Sequence, residues 1–222
     1  MELAVNDLRH HIKSWNKPVP LRCVQSVSQQ ALSAIAYLHE KNITHRDLKE
    51  ENILVTKWDS IAELPTIKLA DFGLVSVQSN PTSLVGTKGW MAPEIAEEWA
   101  KVESRIRLES SIRSVSNIGL EYNTQAFQYT NSVDIYSMGK IIKKLLGDVQ
   151  LTKRSRRPLE LASELSSQMM QKDPKARPTA AHCLQNPWIR FAENPKAITK
   201  RERSSSPTAS GAHKRVLGPQ QV

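Results

Sequence analysis

The chain contains 222 residues, of which 39% are hydrophobic and 24% are charged, and its formal net charge is +9. A chain of this length forms one large domain or a domain with a tail. The sequence shows no run of about 18 apolar residues and no apolar block near Met1, so we expect neither membrane insertion nor a signal peptide.

The basic residues are unevenly distributed, and the two cysteines, Cys23 and Cys183, lie far apart. Distant cysteines are typical of a reduced intracellular protein, so we expect a cytoplasmic or nuclear location. The positive charge leaves acidic peptides, acidic partners and nuclear import open. Nucleic-acid binding is disfavoured, because no aromatic side chains that could stack on bases are interleaved with the basic clusters. These clusters are Lys153, Arg154, Arg156 and Arg157, and the tail residues Lys196, Lys200, Arg201, Arg203, Lys214 and Arg215.

The first long periodic segment predicts a helix over residues 21–41, with apolar residues at spacings of three and four. The stretch 45–52, with the sequence His-Arg-Asp-Leu-Lys-Glu-Glu-Asn, follows directly. Asp47 is a candidate general base, because a carboxylate can take the proton of a hydroxyl nucleophile. Lys49 could neutralise a phosphate, and the amide oxygen of Asn52 suits Mg²⁺.

Residues 52–55 and 67–70 are short strand candidates, and residues 57–65 are expected to form the loop between them. Asp71 ends the second apolar run and is the natural second metal ligand, with Gly73 providing backbone freedom. Residues 71–94 carry few helix signals and many Ser, Thr, Gly and Pro residues, which indicates a loop.

The next segment, residues 95–133, is predicted to contain an amphipathic helix, because Ile95, Trp99, Val102 and Ile106 share a helical spacing. Residues 109–128 are polar and are expected to form a loop. Helices are predicted over residues 132–146, 159–172 and 179–185, with a short basic connection at 147–158. Asp134, near the start of the second of these four helices, is expected to cap its amides.

Five motifs occur in the order found in one family: Asp47 with Asn52, Asp71-Phe72-Gly73, Ala92-Pro93-Glu94, the run from Asp134 to Gly139, and the run from Asp173 to Pro178. Together they closely resemble the C-terminal lobe of a eukaryotic protein kinase of the Ser/Thr type. The resemblance implies a mainly α fold with a few short β-strands (α+β) and a hinge at the N-terminus. Residues 1–193 would form this partial domain, with an insertion at about 97–128. Residues 194–222 would form a basic, disordered tail.

The resemblance implies transfer of the γ-phosphoryl group of ATP, with Mg²⁺, to protein Ser or Thr hydroxyls. It assigns the base to Asp47, a phosphate contact to Lys49, and the Mg²⁺ ligands to Asn52 and Asp71. Leu54 would form a floor for adenine, whose edge would lie near Glu2 and Ala4. His45 and Phe72 would be internal packing residues.

Regulatory and structural roles follow from the same resemblance. Ser83 stands four residues before Thr87, which is the family's usual spacing for a phosphorylated residue, and Arg46 is expected to bind its phosphate. A regulatory protein partner is therefore possible. Thr87 is expected to hydrogen-bond Asp47 and Lys49, as in Ser/Thr-specific members. Two further structural roles are implied: a buried ion pair between Glu94 and Arg177, and a contact of Asp134 with the catalytic-loop backbone.

The 222 residues contain no Gly-rich loop, strand lysine or partner glutamate helix of that family. From this chain alone we therefore expect negligible kinase activity and weak ATP affinity. The alternative function is a catalytically inactive, kinase-like interaction or scaffold module. An upstream reading frame that encodes the missing motifs would favour the enzyme, and an in-frame stop would favour the module.

Overall fold

A computed structural model describes residues 4–14, 18–59, 64–77, 83–112, 128–149 and 156–190. The described elements run in the order β1 (Asn6–Asp7), α1 (Leu8–Lys13), α2 (Leu21–Glu40), β2 (Ile53–Asp59), β3 (Leu64–Leu69), α3 (Pro93–Ile112), α4 (Ser132–Gly147), α5 (Arg156–Met169), α6 (Ala180–Leu184) and α7 (Pro187–Arg190). Short 3-10 turns lie at Glu50–Asn52, Phe72–Leu74 and Pro174–Ala176. The predicted mainly α fold with a small sheet is confirmed.

The sheet is antiparallel, with the strand order β1-β2-β3. Ile53 and Val55 of β2 and Ile67 of β3 are buried against the helices, so one face of the sheet joins the core. The strands are longer than predicted, because Trp58 pairs with Pro65 and packs partly against the core. The prediction of a loop over residues 57–65 was therefore wrong at both ends; residues 60–63 lie outside the described residues.

The core lies mainly between α2 and α4 and is closed by α5, α6 and α7. The predictions for α2 and α4 are confirmed to within one residue, since their buried positions recur with the helical period. α5 begins earlier than predicted, at Arg156. Gly139 of α4 faces α5 so closely that an added Cβ would lie 2.8 Å from Met169 Cβ. α4 and α5 can approach to this extent because position 139 has no side chain.

The predicted amphipathic helix after Glu94 is present as α3, which extends to Ile112. Ile95 is buried and Trp99 packs beside it, whereas the surface from residue 103 to 107 is exposed. The predicted loop at 109–128 is thus wrong for residues 109–112, because the helix continues there. Residues 113–127, most of the basic connection at 150–155, and the tail lie outside the described residues.

Candidate active site

The backbone of the loop that carries Asp47 is fixed by Asp134. This buried carboxylate accepts hydrogen bonds from the backbone N–H groups of His45 and Arg46, at 2.8 Å each, and lies 2.9 Å from His39 Nε2. The predicted contact with the catalytic loop is therefore confirmed. The predicted cap of its own helix is wrong, because α4 is preceded by Asn131 and the hydrogen bonds of Asp134 go to the loop and to α2.

Two residues beside the candidate catalytic groups have left-handed backbone conformations that side chains rarely adopt. Arg46 has φ = 71° and Asp71 has φ = 60°. Such conformations cost about 1–3 kcal/mol each and persist only where surrounding contacts hold them. At Arg46 the contacts of Asp134 provide that hold, and the strained turn directs the backbone into Asp47.

Asp47 lies at the centre of a compact polar cluster. Thr87 Oγ1 donates to Asp47 Oδ1 at 2.6 Å, and Lys49 Nζ donates to Asp47 Oδ2 at 2.7 Å and to Thr87 Oγ1 at 2.9 Å. Asn52 Nδ2 donates to the Asp47 carbonyl oxygen at 2.8 Å and contacts Oδ2 at 3.2 Å. The predicted contacts of Thr87 with both residues are confirmed, and two segments that are distant in the chain, 47–52 and Thr87, meet at one carboxylate.

The pKa of Asp47 reflects a balance between burial and these donors. Burial disfavours the charged form, but the hydrogen bonds from Lys49 and Thr87 and the charge of Lys49 outweigh it and hold the pKa below its ordinary value of 3.8. Asp47 is therefore a carboxylate near neutral pH. In that form it can accept a hydrogen bond from a hydroxyl group.

Asn52 and Asp71 meet the chemical requirements of a Mg²⁺ site. The amide nitrogen of Asn52 is engaged with Asp47, so its Oδ1 atom remains as an acceptor for a cation. The Asn52 carbonyl oxygen accepts a hydrogen bond from Ala70 N at 2.9 Å. Because Ala70 directly precedes Asp71, this bond brings the chain at Asp71 close to Asn52. Asp71 is exposed and its Oδ1 lies 3.4 Å from Gly73 N. An amide oxygen and a carboxylate are ligands that Mg²⁺ accepts beside phosphate oxygens and water.

The residues expected beside the nucleotide fall in different environments. Leu54 is half-buried in β2 and pairs with Asp7, while Ala4 is exposed at the start of the described chain. Val5 N donates to the Val55 carbonyl oxygen at 2.8 Å, so the segment of Ala4 runs beside the strand of Leu54. Glu2 lies outside the described residues.

His45 is fully buried and its Nε2 lies 3.0 Å from the Ala70 carbonyl oxygen. Its ring centroid is 5.2 Å from that of Phe72. Phe72 itself is 48% exposed, so the prediction that both are internal packing residues is correct for His45 and wrong for Phe72 within the described residues. Phe72 lies in the short 3-10 turn Phe72–Leu74, in which no residue is buried.

Arg46 gathers the segment after Asp71 around its guanidinium group. It donates to the carbonyl oxygens of Leu74 and Val75 and, through Nη1, to Ser83 Oγ at 2.5 Å. Ser83 is exposed, yet it lies next to the cation expected to receive its phosphate. The structure therefore brings these two sequence-predicted residues together.

Arg177 forms the predicted ion pair with Glu94, with both nitrogen-to-oxygen distances at 2.7 Å. The arginine side chain is fully buried and also donates to the carbonyl oxygens of Gln171 and Ser132 at 2.8 and 3.2 Å. Its guanidinium carbon lies 4.9 Å from the Tyr136 ring centroid. A bidentate pair with these additional acceptors ties the start of α3 to the region after α5.

Sequence reasoning missed two contacts around the site. Tyr129 donates its hydroxyl to the Ser83 carbonyl oxygen at 2.7 Å and lies 3.3 Å from Arg46 Nη1. Glu50 is buried and pairs with Lys144 of α4, whose ammonium lies 5.3 Å from the Trp90 ring centroid. No motif links residues this far apart in the chain, so the sequence carried no signal for either contact.

None of the helices among the described residues is both long and apolar enough to cross a membrane. The side chains described there include no group of three or more His, Cys, Asp and Glu residues that could hold a metal ion.

The cluster of Lys49 and Thr87 around Asp47, with Asn52 beside it, on a mainly helical body is the arrangement of a protein-kinase-like lobe. Residues 1–189 match the family model of the protein kinase domain. The chain therefore belongs to the protein kinase family.

Curated relatives agree with this assignment. The chain is 32% identical to the serine/threonine-protein kinase RAD53 of Saccharomyces cerevisiae, over 76% of this chain and 21% of the relative. It is 33% identical to the mitogen-activated protein kinase kinase kinase YODA of Arabidopsis thaliana, over 75% and 18%. It is 30% identical to the serine/threonine-protein kinase TAO3 of Pongo abelii, over 86% and 20%. The chain thus spans about a fifth of the length of these relatives.

Proposed function

We propose that these residues act in transfer of the γ-phosphoryl group of ATP to a serine or threonine hydroxyl of a protein. The observation that carries the proposal is the cluster at Asp47, where Lys49, Thr87 and Asn52 all donate to one residue. Asp47 orients the acceptor hydroxyl and takes its proton as the oxygen attacks. Its lowered pKa keeps it in the carboxylate form that this role needs.

Lys49 has a second role at the same site. Its ammonium already bridges Asp47 and Thr87, and its remaining donor can contact the phosphoryl group that moves. Mg²⁺ bound to ATP neutralises charge on the phosphates. Asn52 and Asp71 would hold that ion, Leu54 would contact the adenine, and the purine edge would lie near Glu2 and Ala4.

The specificity for Ser and Thr rests on Lys49 and Thr87, whose mutual hydrogen bond at 2.9 Å supports it. The names of the relatives RAD53 and TAO3 describe serine/threonine-protein kinases. We propose protein substrates as the partners, and a cytoplasmic or nuclear location, which the two cysteines far apart in the sequence favour.

We also propose that phosphorylation of Ser83 regulates the site. A phosphate there would add about two negative charges beside Arg46, and a guanidinium group binds phosphate bidentately. The 2.5 Å contact between Arg46 Nη1 and Ser83 Oγ supports this pairing. If Ser83→Ala leaves phosphotransfer by the active polypeptide unchanged, the regulatory proposal fails.

The test is phosphotransfer from Mg-ATP to a mixed protein substrate, measured for the 222-residue chain and for a longer polypeptide that joins it to a Gly-rich loop and strand lysine of the family. From the longer polypeptide we expect phosphoserine and phosphothreonine as products, and a loss of about 10²-fold or more in Asp47→Asn. Asp148→Asn is the matched control, because this carboxyl group is exposed at the end of α4.

Equal activity of the wild type and Asp47→Asn would contradict the proposed mechanism. If neither polypeptide transfers phosphate while the folded chain captures a protein partner, the interaction module becomes the better description. Binding of Mg-ATP by the same proteins, measured by calorimetry, separates a defect in chemistry from a defect in nucleotide binding.

A further inference from the structure

We propose that Tyr129 is a positioning residue that holds residues 83–87 in place over Asp47 without a phosphate on Ser83. Its hydroxyl donates a hydrogen bond to the Ser83 carbonyl oxygen at 2.7 Å and accepts one from Arg46 Nη1 at 3.3 Å. The same Nη1 atom contacts Ser83 Oγ at 2.5 Å. Ser83 is therefore bound through its backbone and its side chain by two neighbouring residues.

The ring of Tyr129 is itself firmly fixed. It is 5% exposed and packs in a cluster with Ala92, Ile95 and Val133, with Trp99 and Leu84 beside them. Ile95 and Trp99 belong to α3, Val133 belongs to α4, and Ala92 lies next to the start of α3. A hydroxyl on a ring that cannot rotate away is a rigid anchor, and a buried tyrosine hydroxyl needs such a polar partner.

The Tyr129 hydroxyl binds the backbone of Ser83, so it can hold this residue whatever the state of the Ser83 side chain. A main-chain carbonyl oxygen is present whatever side chain occupies position 83 and whether or not that side chain is phosphorylated. The contact of Arg46 with Ser83 Oγ depends on the hydroxyl. The two contacts can therefore be removed separately, by Tyr129→Phe and by Ser83→Ala.

Holding Ser83 also constrains Thr87, because the segment between them is short and closely packed. Gly86 has φ = 123°, and a Cβ added to it would lie 2.8 Å from the Arg46 carbonyl oxygen. Thr87 then reaches Asp47 Oδ1 at 2.6 Å. The segment is thus fixed at its start by Tyr129, in its middle against Arg46 and at its end by Asp47.

The effect of Tyr129 on catalysis rests on the proposed function, whereas its effect on the conformational order of residues 83–87 does not. Without the Tyr129 hydroxyl, the start of the segment loses its backbone anchor and Thr87 leaves Asp47 more often. The matched variant is Tyr129→Phe, which keeps the ring in its apolar cluster. Tyr37→Phe is the control, because Tyr37 is 61% exposed on α2.

The experiment measures hydrogen exchange by mass spectrometry in a peptide that covers residues 84–91, together with the rate of native tryptic cleavage after the exposed Lys88. The Trp90 amide, which donates to the Thr87 carbonyl oxygen at 3.0 Å, reports on the segment. We expect both rates to rise about threefold to tenfold in Tyr129→Phe, the effect of one lost hydrogen bond. The same increase should occur in the Ser83→Ala background.

The control peptide covers residues 135–145 of α4, whose exchange should not change. Unchanged rates in Tyr129→Phe with raised rates in Ser83→Ala would overturn the proposal, because the side chain of Ser83 would then be the anchor. An equal rise in the α4 peptide would also overturn it, since Tyr129 would then act only on global stability.

A phosphotransfer assay gives an independent readout wherever the polypeptide is active. Tyr129→Phe should lower kcat about threefold to tenfold and leave the KM for ATP unchanged, because residues 83–87 contact Asp47 rather than the strand of Leu54. If neither the 222-residue chain nor a longer polypeptide that contains it transfers phosphate, the proposed function fails, while the exchange result still decides the role of Tyr129.

Discussion

The region that supports Asp47 from the helical body and the region that would face the nucleotide are held in different ways. In the first, the buried residues Asp134 and Arg177 bind several partners each, and Glu94 pairs with Arg177 through both of its carboxylate oxygens. In the second, Val5 is 66% exposed and Phe72 is 48% exposed. The core holds the loop of Asp47 in place, whereas the residues proposed to face the nucleotide lie at the surface. Substitutions in the first region should therefore change stability, and those in the second should change binding.

The largest expected effect follows removal of the buried ion pair. Glu94→Gln leaves the fully buried Arg177 without its counter-charge and should lower the free energy of unfolding by about 3–5 kcal/mol. Glu98→Gln is the matched control on the same helix, because its pair with Lys101 is exposed and should contribute less than about 1 kcal/mol. Urea unfolding measures both. Equal losses in the two variants would contradict the comparison.

Asp134→Asn should give the next largest effect. The amide keeps one acceptor but loses the charge that binds the N–H groups of His45 and Arg46, so we expect a loss of about 1.5–3 kcal/mol. Hydrogen exchange at these two amides should increase more than exchange elsewhere. Asp148→Asn, at the exposed end of α4, serves as the control. Protection at residues 45 and 46 that survives the substitution would argue against the role of Asp134.

On the nucleotide side, Asp71→Asn should leave stability almost unchanged, within about 0.5 kcal/mol, because the carboxyl group is exposed. It should weaken Mg-ATP binding about tenfold or more, since a charged ligand of the cation is lost. Calorimetric titration with and without Mg²⁺ distinguishes the two effects. A variant that binds Mg-ATP as tightly as the wild type would remove Asp71 from the metal site.

The pH dependence of stability tests the cluster at Asp47. Its pKa is lowered in the folded state, so it contributes stability above its unfolded pKa near 3.8, and this contribution is lost as the pH falls through the lower, folded pKa. Thr87→Val removes one donor, raises that pKa and should cost about 1 kcal/mol at pH 7.

The ionic part of the difference between Thr87→Val and the wild type should vanish at a pH below both folded pKa values, where Asp47 is protonated in each protein. Thr66→Val, at an exposed position of β3, is the control. Urea unfolding from pH 2 to pH 7 measures the difference. A difference that stays constant over this range would show that Thr87 acts without affecting the charge of Asp47.

The smallest expected effect concerns the two cysteines, which should not react with a thiol reagent in the folded protein. Cys23 and Cys183 are both buried, and burial raises the pKa of the Cys183 thiol to about 12. A neutral, inaccessible thiol is a poor nucleophile, so neither should react with a thiol reagent at pH 8 until the protein unfolds. The reagent titration is compared in buffer and in urea. Fast reaction in buffer would show that the helical region opens more readily than its packing indicates.

Much of the helical fold could be predicted from the sequence, because α2 and α4 bury apolar residues at a regular period. The contacts of Thr87 and of Arg177 were also predictable, from a resemblance that carries them with its motifs. Strand ends were not, since β2 continues through Trp58 by pairing with β3. The links from Tyr129 to Ser83 and from Lys144 to Glu50 depend on tertiary packing between distant residues, and no local pattern encodes them.

The close approach of α4 and α5 at Gly139 limits how far the residues that support the site can move apart. α4 carries Asp134 near its start and touches α5 at this glycine, where Met169 and Met170 leave no room for a methyl group. A larger residue would separate the two helices, and the chain after α5 would move with them, taking Arg177 away from Glu94. The close packing of α4 against α5 therefore helps to fix the relative positions of the Asp47 loop, which Asp134 holds, and the start of α3, which Arg177 holds.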